Sequence, residues 1–189
     1  MTSMNRFIKS ATSLKDCIND SKKEVCLIGR SNVGKSTIIN GLANAKIAQT
    51  SKTPGRTVTM NFYEISNQRI VDLPGYGYAR IKKSQKEEIS LFLSDYLNHR
   101  KNLVGIFLIL DLGVITDQDI EIVRLLTTLD VEYYIVFNKI DKYPKSAYIN
   151  NKEKILDALK VNEDRILLIS AKNKQNLNNL MLKIIDVIS

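Results

Sequence analysis

Eight residues, Gly29-Arg30-Ser31-Asn32-Val33-Gly34-Lys35-Ser36, constrain the fold of this chain more than any other feature. They have the spacing G-x-x-x-x-G-K-S. A short apolar run, Val25–Ile28, precedes them, and a helical pattern from Ser36 to near Asn44 follows. A glycine-bounded loop between a strand and a helix wraps tightly and turns its backbone N–H groups toward one point. The helix N-terminus adds a favourable dipole, so the loop suits phosphate oxygens. Lys35 brings a positive charge to the outer phosphates. The Ser36 hydroxyl is a magnesium ligand, and Thr37 completes the residues assigned to this loop.

The same alternation continues along the chain. Further apolar runs are Val58–Ile65, Arg69–Val71, Val104–Leu110, Tyr133–Phe137 and Ile166–Ile169. Helical patterns lie between most of them. Ser84-x-x-Glu87 reads as a capping box opening a helix with Ile89, Phe92, Leu93, Tyr96 and Leu97 on one face. Thr116 precedes a second helix carrying Ile120, Val123, Leu126 and Leu129. A third spans about Ser146 to Leu159, and a fourth Leu177 to Ile188. Strands alternating with helices predict an α/β three-layer sandwich around a mostly parallel, six-stranded sheet. Val58–Ile65 and Arg69–Asp72 are separated only by Ser66-Asn67, which predicts one antiparallel hairpin strand. No repeat or linker divides the chain, so a single domain is expected over residues 1–189, with 1–23 as a short N-terminal extension.

Four more motifs follow the first loop in order. Asp72-Leu73-Pro74-Gly75 lies 37 residues after Lys35. Its carboxylate suits magnesium held through a water, and the Gly75 N–H suits a γ-phosphate. Earlier, Thr53-Pro54-Gly55-Arg56-Thr57 places a hydroxyl, Thr57, to complete the magnesium shell and sense that phosphate. Asn138-Lys139-Ile140-Asp141 ends an apolar run. A carboxylate at Asp141 accepts two hydrogen bonds from guanine N1–H and its 2-amino group, donors that adenine lacks. Asn138 suits the N7/O6 side or a tie between loops, and the Lys139 stem lies over the base. In Ser170-Ala171-Lys172, the Ala171 N–H suits guanine O6. All five elements fall at the C-terminal end of a strand or in the loop it feeds, where open α/β sheets bind ligands. Lys35, Thr57 and Gly75 are thus the catalytic candidates, and Ser36, Thr57 and Asp72 the magnesium candidates, with GTP or GDP as ligand.

Composition closes off other classes. The longest strongly apolar run, Val104 to Leu110, ends at Asp111 and falls far short of the roughly 20 residues of a membrane span. No signal-peptide core appears near the N-terminus, which predicts a cytoplasmic protein. Cys17 and Cys26 lack metal spacing and read as buried, reduced thiols, and His99 as a solvated side chain. The net charge is +8, and no Asp or Glu occurs from Val25 to Tyr63. A second basic run is Arg80, Lys82, Lys83 and Lys86. Such fields attract nucleotides and RNA.

The set resembles the translation-factor-related class of P-loop GTPases. Ser51-Lys52-Thr53-Pro54-Gly55-Arg56-Thr57, Asn61-Phe62 and Asp72-Leu73-Pro74-Gly75-Tyr76-Gly77-Tyr78-Ala79 further resemble the EngB family of bacterial ribosome-biogenesis GTP-binding proteins. That resemblance implies a P-loop NTPase fold, a monomer, a role in assembly of the large ribosomal subunit, and links to cell division and septation. In related GTPases with G-x-x-N-x-G-K-S, the asparagine, here Asn32, helps hold potassium. The chain departs from the family after Asp111, where Leu112-Gly113-Val114 replace expected basic residues. Tyr76 stands where many GTPases carry a water-orienting glutamine, so intrinsic hydrolysis should be slow. Two other readings stand beside this one: a related small GTPase in another process, and a nucleotide-sensing RNA-binding module with negligible hydrolysis.

Guanine selectivity gives the first test. Asp141→Asn should weaken GTP binding and favour xanthine nucleotides, because an amide presents a donor where the carboxylate accepted. In the unmodified protein, ATP should compete against labelled GTP worse by about 10⁴-fold or more; equal competition would contradict the assignment.

Overall fold

The computed structural model describes residues 4–49, 59–76, 83–144 and 146–189, without the side chains of Lys83, Gln85 and Lys86. The strands are β1 (Arg6–Ala11), β2 (Glu24–Gly29), β3 (Met60–Ile65), β4 (Gln68–Asp72), β5 (Leu103–Asp111), β6 (Glu132–Asn138) and β7 (Ile166–Leu168). The helices are α1 (Lys35–Ala43), α2 (Lys83–His99), α3 (Asp117–Leu126), α4 (Ser146–Leu159) and α5 (Leu177–Ile188). The strands form one sheet in the order β1-β3-β4-β2-β5-β6-β7. The four pairings from β4 to β7 are parallel, and β3 runs antiparallel to both its neighbours. Ser66 and Asn67 both take left-handed φ, 49° and 65°, as a tight two-residue hairpin requires.

The sheet has seven described strands, one more than the six expected. The addition is β1, which lies inside the segment expected to be an N-terminal extension. Its sequence, RFIKSA, buries only Ala11, so it carries no apolar alternation to reveal it. It is held as an edge strand by β3's free backbone groups, with a register shift between Phe7 and Lys9. A smaller difference concerns α2. It begins at Lys83, so Ser84 lies within the helix and does not cap it.

Alternating side chains divide the core between the two faces. Cys26, Ile106, Leu108 and Ile135 pack with α2, α3 and α4. Val25, Leu27, Phe107 and Val136 pack with α1 and α5. Central strands are covered on both faces, which is why β2 is buried throughout and apolar from Val25 to Ile28. Because α1 and α2 leave the sheet on opposite faces, the chain reverses direction around β2 and opens a crevice at its carboxyl end. Cys17 and Cys26 are free and buried, and burial pushes the Cys17 thiol up to about 11.

The opposite end of β2 holds a buried charge. Glu24 is fully buried and accepts from Arg100 Nε and Nη2 at 2.8 and 2.9 Å and from the Tyr96 hydroxyl at 2.7 Å. These contacts fasten the end of α2 to the start of the sheet. A buried carboxylate is tolerated only when so paired. Tyr96→Phe removes one donor with little change of shape. It should destabilise the protein by about 1–3 kcal/mol, read as a lower urea midpoint with an unchanged m-value.

Candidate functional site

The carboxyl ends of β2, β4, β5 and β6 bring the separate motifs to one crevice. At the end of β2 the chain leaves through Gly29 and turns at Asn32, whose φ is 64°. Gly34 then takes φ 105° immediately before α1. A Cβ on Gly34 would lie 2.4 Å from Asn138 Nδ2, so this glycine is required both by its backbone and by its neighbour. Val33 N–H donates to Arg30 O at 3.3 Å, which tightens the loop. Among the described residues, nothing accepts from the amides of Gly34, Lys35, Ser36 and Thr37. Every helix start leaves such donors, but here no side chain caps them, which leaves them free for an anion.

Asp72 ends β4 beside this loop. Its Oδ1 lies 3.6 Å from Lys35 Nζ and has no hydrogen-bond partner, although the atom is buried. Burial raises the Asp72 carboxyl above its ordinary range, against the pull of Lys35. An unsatisfied buried carboxylate oxygen near a hydroxyl-bearing helix start fits a hard divalent cation with oxygen ligands. Ser36 and Asp72 would hold magnesium there, Asp72 through a water, and the ion would neutralise phosphate charge. Gly75 packs so closely on the loop that a Cβ would lie 3.1 Å from Ser31 N. Leu73 is buried, with Pro74 beside it.

Asn138 ends β6 and is 2% exposed. Its Nδ2 donates to Val33 O at 2.9 Å, and its Oδ1 accepts from Ala171 N at 3.0 Å. It therefore ties loops together, the second of the two roles its position suggested. The Ala171 amide is engaged in this state and would have to share that bond to reach a base. Asp141 lies in the short turn after Lys139, and its Oδ1 accepts from Ser170 Oγ at 2.5 Å. The Ser170-Ala171 turn is closed by paired backbone bonds between Ser170 and Gln175, and Lys172 is exposed.

Several features were not foreseen. The Arg30 side chain turns onto Asp119 and the Val114 carbonyl, so only its backbone belongs to the loop. Asp111 gathers Lys139 Nζ at 3.0 Å and the Tyr143 hydroxyl at 2.9 Å, which holds the Lys139 stem in place. These partners and the Gly113 N–H lower the Asp111 carboxyl below its ordinary range despite burial. A Cβ on Gly113 would lie 2.1 Å from the Tyr143 hydroxyl. Tyr143 thus fills the room left by the small loop after Asp111. Gly55, Arg56 and Thr57, with Arg80 and Lys82, lie outside the described residues.

The fold and the loop together define a P-loop nucleotide-binding domain whose base-facing motif is that of guanine-specific proteins. A family model described as a 50S ribosome-binding GTPase matches residues 24–139. A relative in Malacoplasma penetrans, the probable GTP-binding protein EngB, is 54% identical over 94% of this chain and 95% of its own length. Its counterpart in Mycoplasma pneumoniae is 47% identical over 91% and 89%. A solved EngB structure superposes with a TM-score of 0.73 at 28% identity, covering 87% of this chain and 98% of that one. The chain belongs to the EngB family of P-loop GTP-binding proteins.

The phosphate cradle can be tested directly. Lys35→Ala should abolish tight nucleotide binding, and Ser36→Ala should weaken it mainly when magnesium is present. Both are measured by titration of a fluorescent guanine nucleotide with and without the metal. Equal affinity in all three proteins would remove the assignment.

Proposed function

We propose that the chain is a nucleotide-gated switch in assembly of the large ribosomal subunit, with slow intrinsic hydrolysis of GTP to GDP and phosphate. The observation that carries this reading is the match to 50S ribosome-binding GTPases, which runs from the first residue of β2 to Lys139 of the guanine motif. Era, similar in structure with a TM-score of 0.69 at 25% identity over 88% of this chain and 57% of its own, was crystallised with MgGDPNP and nucleotides 1506–1542 of 16S ribosomal RNA. That supports RNA as a partner class. The reading takes residues 1–189 as one GTP-binding domain, cytoplasmic and monomeric, with links to cell division and septation.

In this reading Lys35 and the free amides of the loop bind the phosphates, and Ser36, Thr57 and Asp72 hold magnesium. Asp141, Lys139 and Ala171 address the base. Thr57 and Gly75 report the γ-phosphate, and Asn32 holds potassium beside the phosphates. Contacts to the γ-phosphate order the segments around Thr53–Thr57 and Asp72–Lys83, and hydrolysis releases them. Arg56, Arg80, Lys82, Lys83 and Lys86 ride on or beside those segments, so RNA affinity follows the nucleotide. Hydrolysis is slow because Tyr76 has no means of orienting water as a glutamine does.

Co-sedimentation with large ribosomal subunits tests this. Binding should be stronger with a non-hydrolysable GTP analogue than with GDP, since equal affinity would shift nothing. It should fall steeply with salt, with a log–log slope of roughly −0.7 per single-strand phosphate neutralised. Replacing Lys82 and Lys83 by alanine should flatten that slope and leave GTP binding intact. Binding that ignores both nucleotide and salt would overturn the reading.

A further inference from the structure

Asp119, on the first turn of α3, is fully buried. Its Oδ2 accepts from the Thr116 N–H at 2.8 Å and the Thr116 hydroxyl at 2.9 Å, which closes a capping box. Capping a helix does not require burial, and it uses one oxygen. The other, Oδ1, accepts from the Tyr76 hydroxyl at 2.8 Å and from Arg30 Nε at 3.1 Å. Arg30 Nη2 donates to Val114 O at 2.6 Å, so its direction is fixed at both ends. Three distant segments therefore meet on one carboxylate: the phosphate loop, the residue after Asp72-Leu73-Pro74-Gly75, and the start of α3.

The backbone repeats this connection. Tyr76 N–H donates to Gly29 O at 3.3 Å, and Ser31 N–H donates to Tyr76 O at 3.1 Å. Arg30 and Tyr76 thus face each other as a single parallel bridge beside the sheet. Gly75 sits one residue before that bridge, in tight contact with Ser31. A charge-assisted pair shielded from water is strong and directional. The phenol is held on Asp119 and is not aimed at the phosphate cradle.

We propose that Asp119 is a positioning residue for nucleotide discrimination: through Tyr76 and Arg30 it fixes the Gly75 amide against the phosphate loop, where it meets the γ-phosphate. The inference rests on the guanine-nucleotide switch reading above. GDP lacks the γ-phosphate, so a loosened Gly75 costs affinity for GTP and little for GDP. An anchor that only supported the fold would affect both nucleotides equally.

Tyr76→Phe, Asp119→Asn and Thr116→Val separate these roles. Affinities for GDP and for a non-hydrolysable GTP analogue are measured with fluorescent nucleotides on the full chain, alongside thermal unfolding. Tyr76→Phe removes only the hydroxyl. It should weaken the analogue by about fivefold to tenfold, the scale of one hydrogen bond to a charged group, and leave GDP within about twofold. Asp119→Asn should shift the same ratio at least as far if it folds; Tyr76→Phe decides the matter if it does not. Thr116→Val removes the hydroxyl's bonds to the Asp119 N–H and Oδ2, and leaves the Thr116 N–H on Oδ2 and both partners of Oδ1 in place. It should lower Tm by about 2–4 °C with the ratio unchanged. An unaltered ratio in Tyr76→Phe, or equal loss for both nucleotides, would overturn the proposal. If the unmodified protein bound ATP as well as GTP, the failure would lie in the underlying reading and would take this proposal with it.

Discussion

The Asn138 carboxamide is the contact on which the site depends. One side chain donates to the phosphate loop at Val33 and accepts from the loop after β7 at Ala171. Each loop leaves a different strand, and neither has a regular partner of its own at that point. A carboxamide offers a donor and an acceptor in one rigid plane, so it can fix two loops at a set separation. Its closeness to Gly34 explains why that position has no side chain. Bonds buried this deeply are expensive to leave unmade, which gives the loops a common fixed frame. A nucleotide that binds phosphate at one end and base at the other needs that frame in place.

Two buried ionic clusters anchor β2 at its ends. Glu24 begins the strand and collects Arg100 and Tyr96, while Arg30 follows it and engages Asp119. Buried ion pairs contribute little net stability, because desolvation offsets attraction. Their value is geometric. The first pins the far end of α2 to the sheet, and the second pins the phosphate loop to α3. Both involve a tyrosine hydroxyl, and for Tyr76 burial beside Asp119 pushes the phenol far above its ordinary range. That phenol stays protonated at any ordinary pH and keeps donating to Asp119.

Much of the architecture was legible because it rests on local rules. The bounds of α4 and α5 follow from apolar spacing, and the hairpin at Ser66-Asn67 follows from the shortness of the connection. Thr116 was recognisable as a helix start, and the structure confirms it as an N-cap. What escaped was what local pattern does not encode. β1 buries only Ala11 and half-buries Ile8, so only the open edge of β3 reveals a strand there. The capping pattern at Ser84 is sound chemistry, yet Ser84 already lies within α2.

By itself the sequence determined the phosphate loop, the guanine motif, their order along the chain and the alternation that sets the sheet. Each is written in residue type and spacing, and each follows from backbone geometry within a few residues. Tertiary structure alone decided the destinations of the long polar side chains. Arg30 looks like a phosphate ligand in the motif but reaches away to Asp119. Tyr143 meets Asp111 across 32 residues, and Tyr76 meets Asp119 across 43. These partners lie on separate loops, a strand end and a helix start, and their distance is set by how layers pack. Burial obliges the Asp119 carboxylate to find partners, but only the folded sheet determines which groups are within reach.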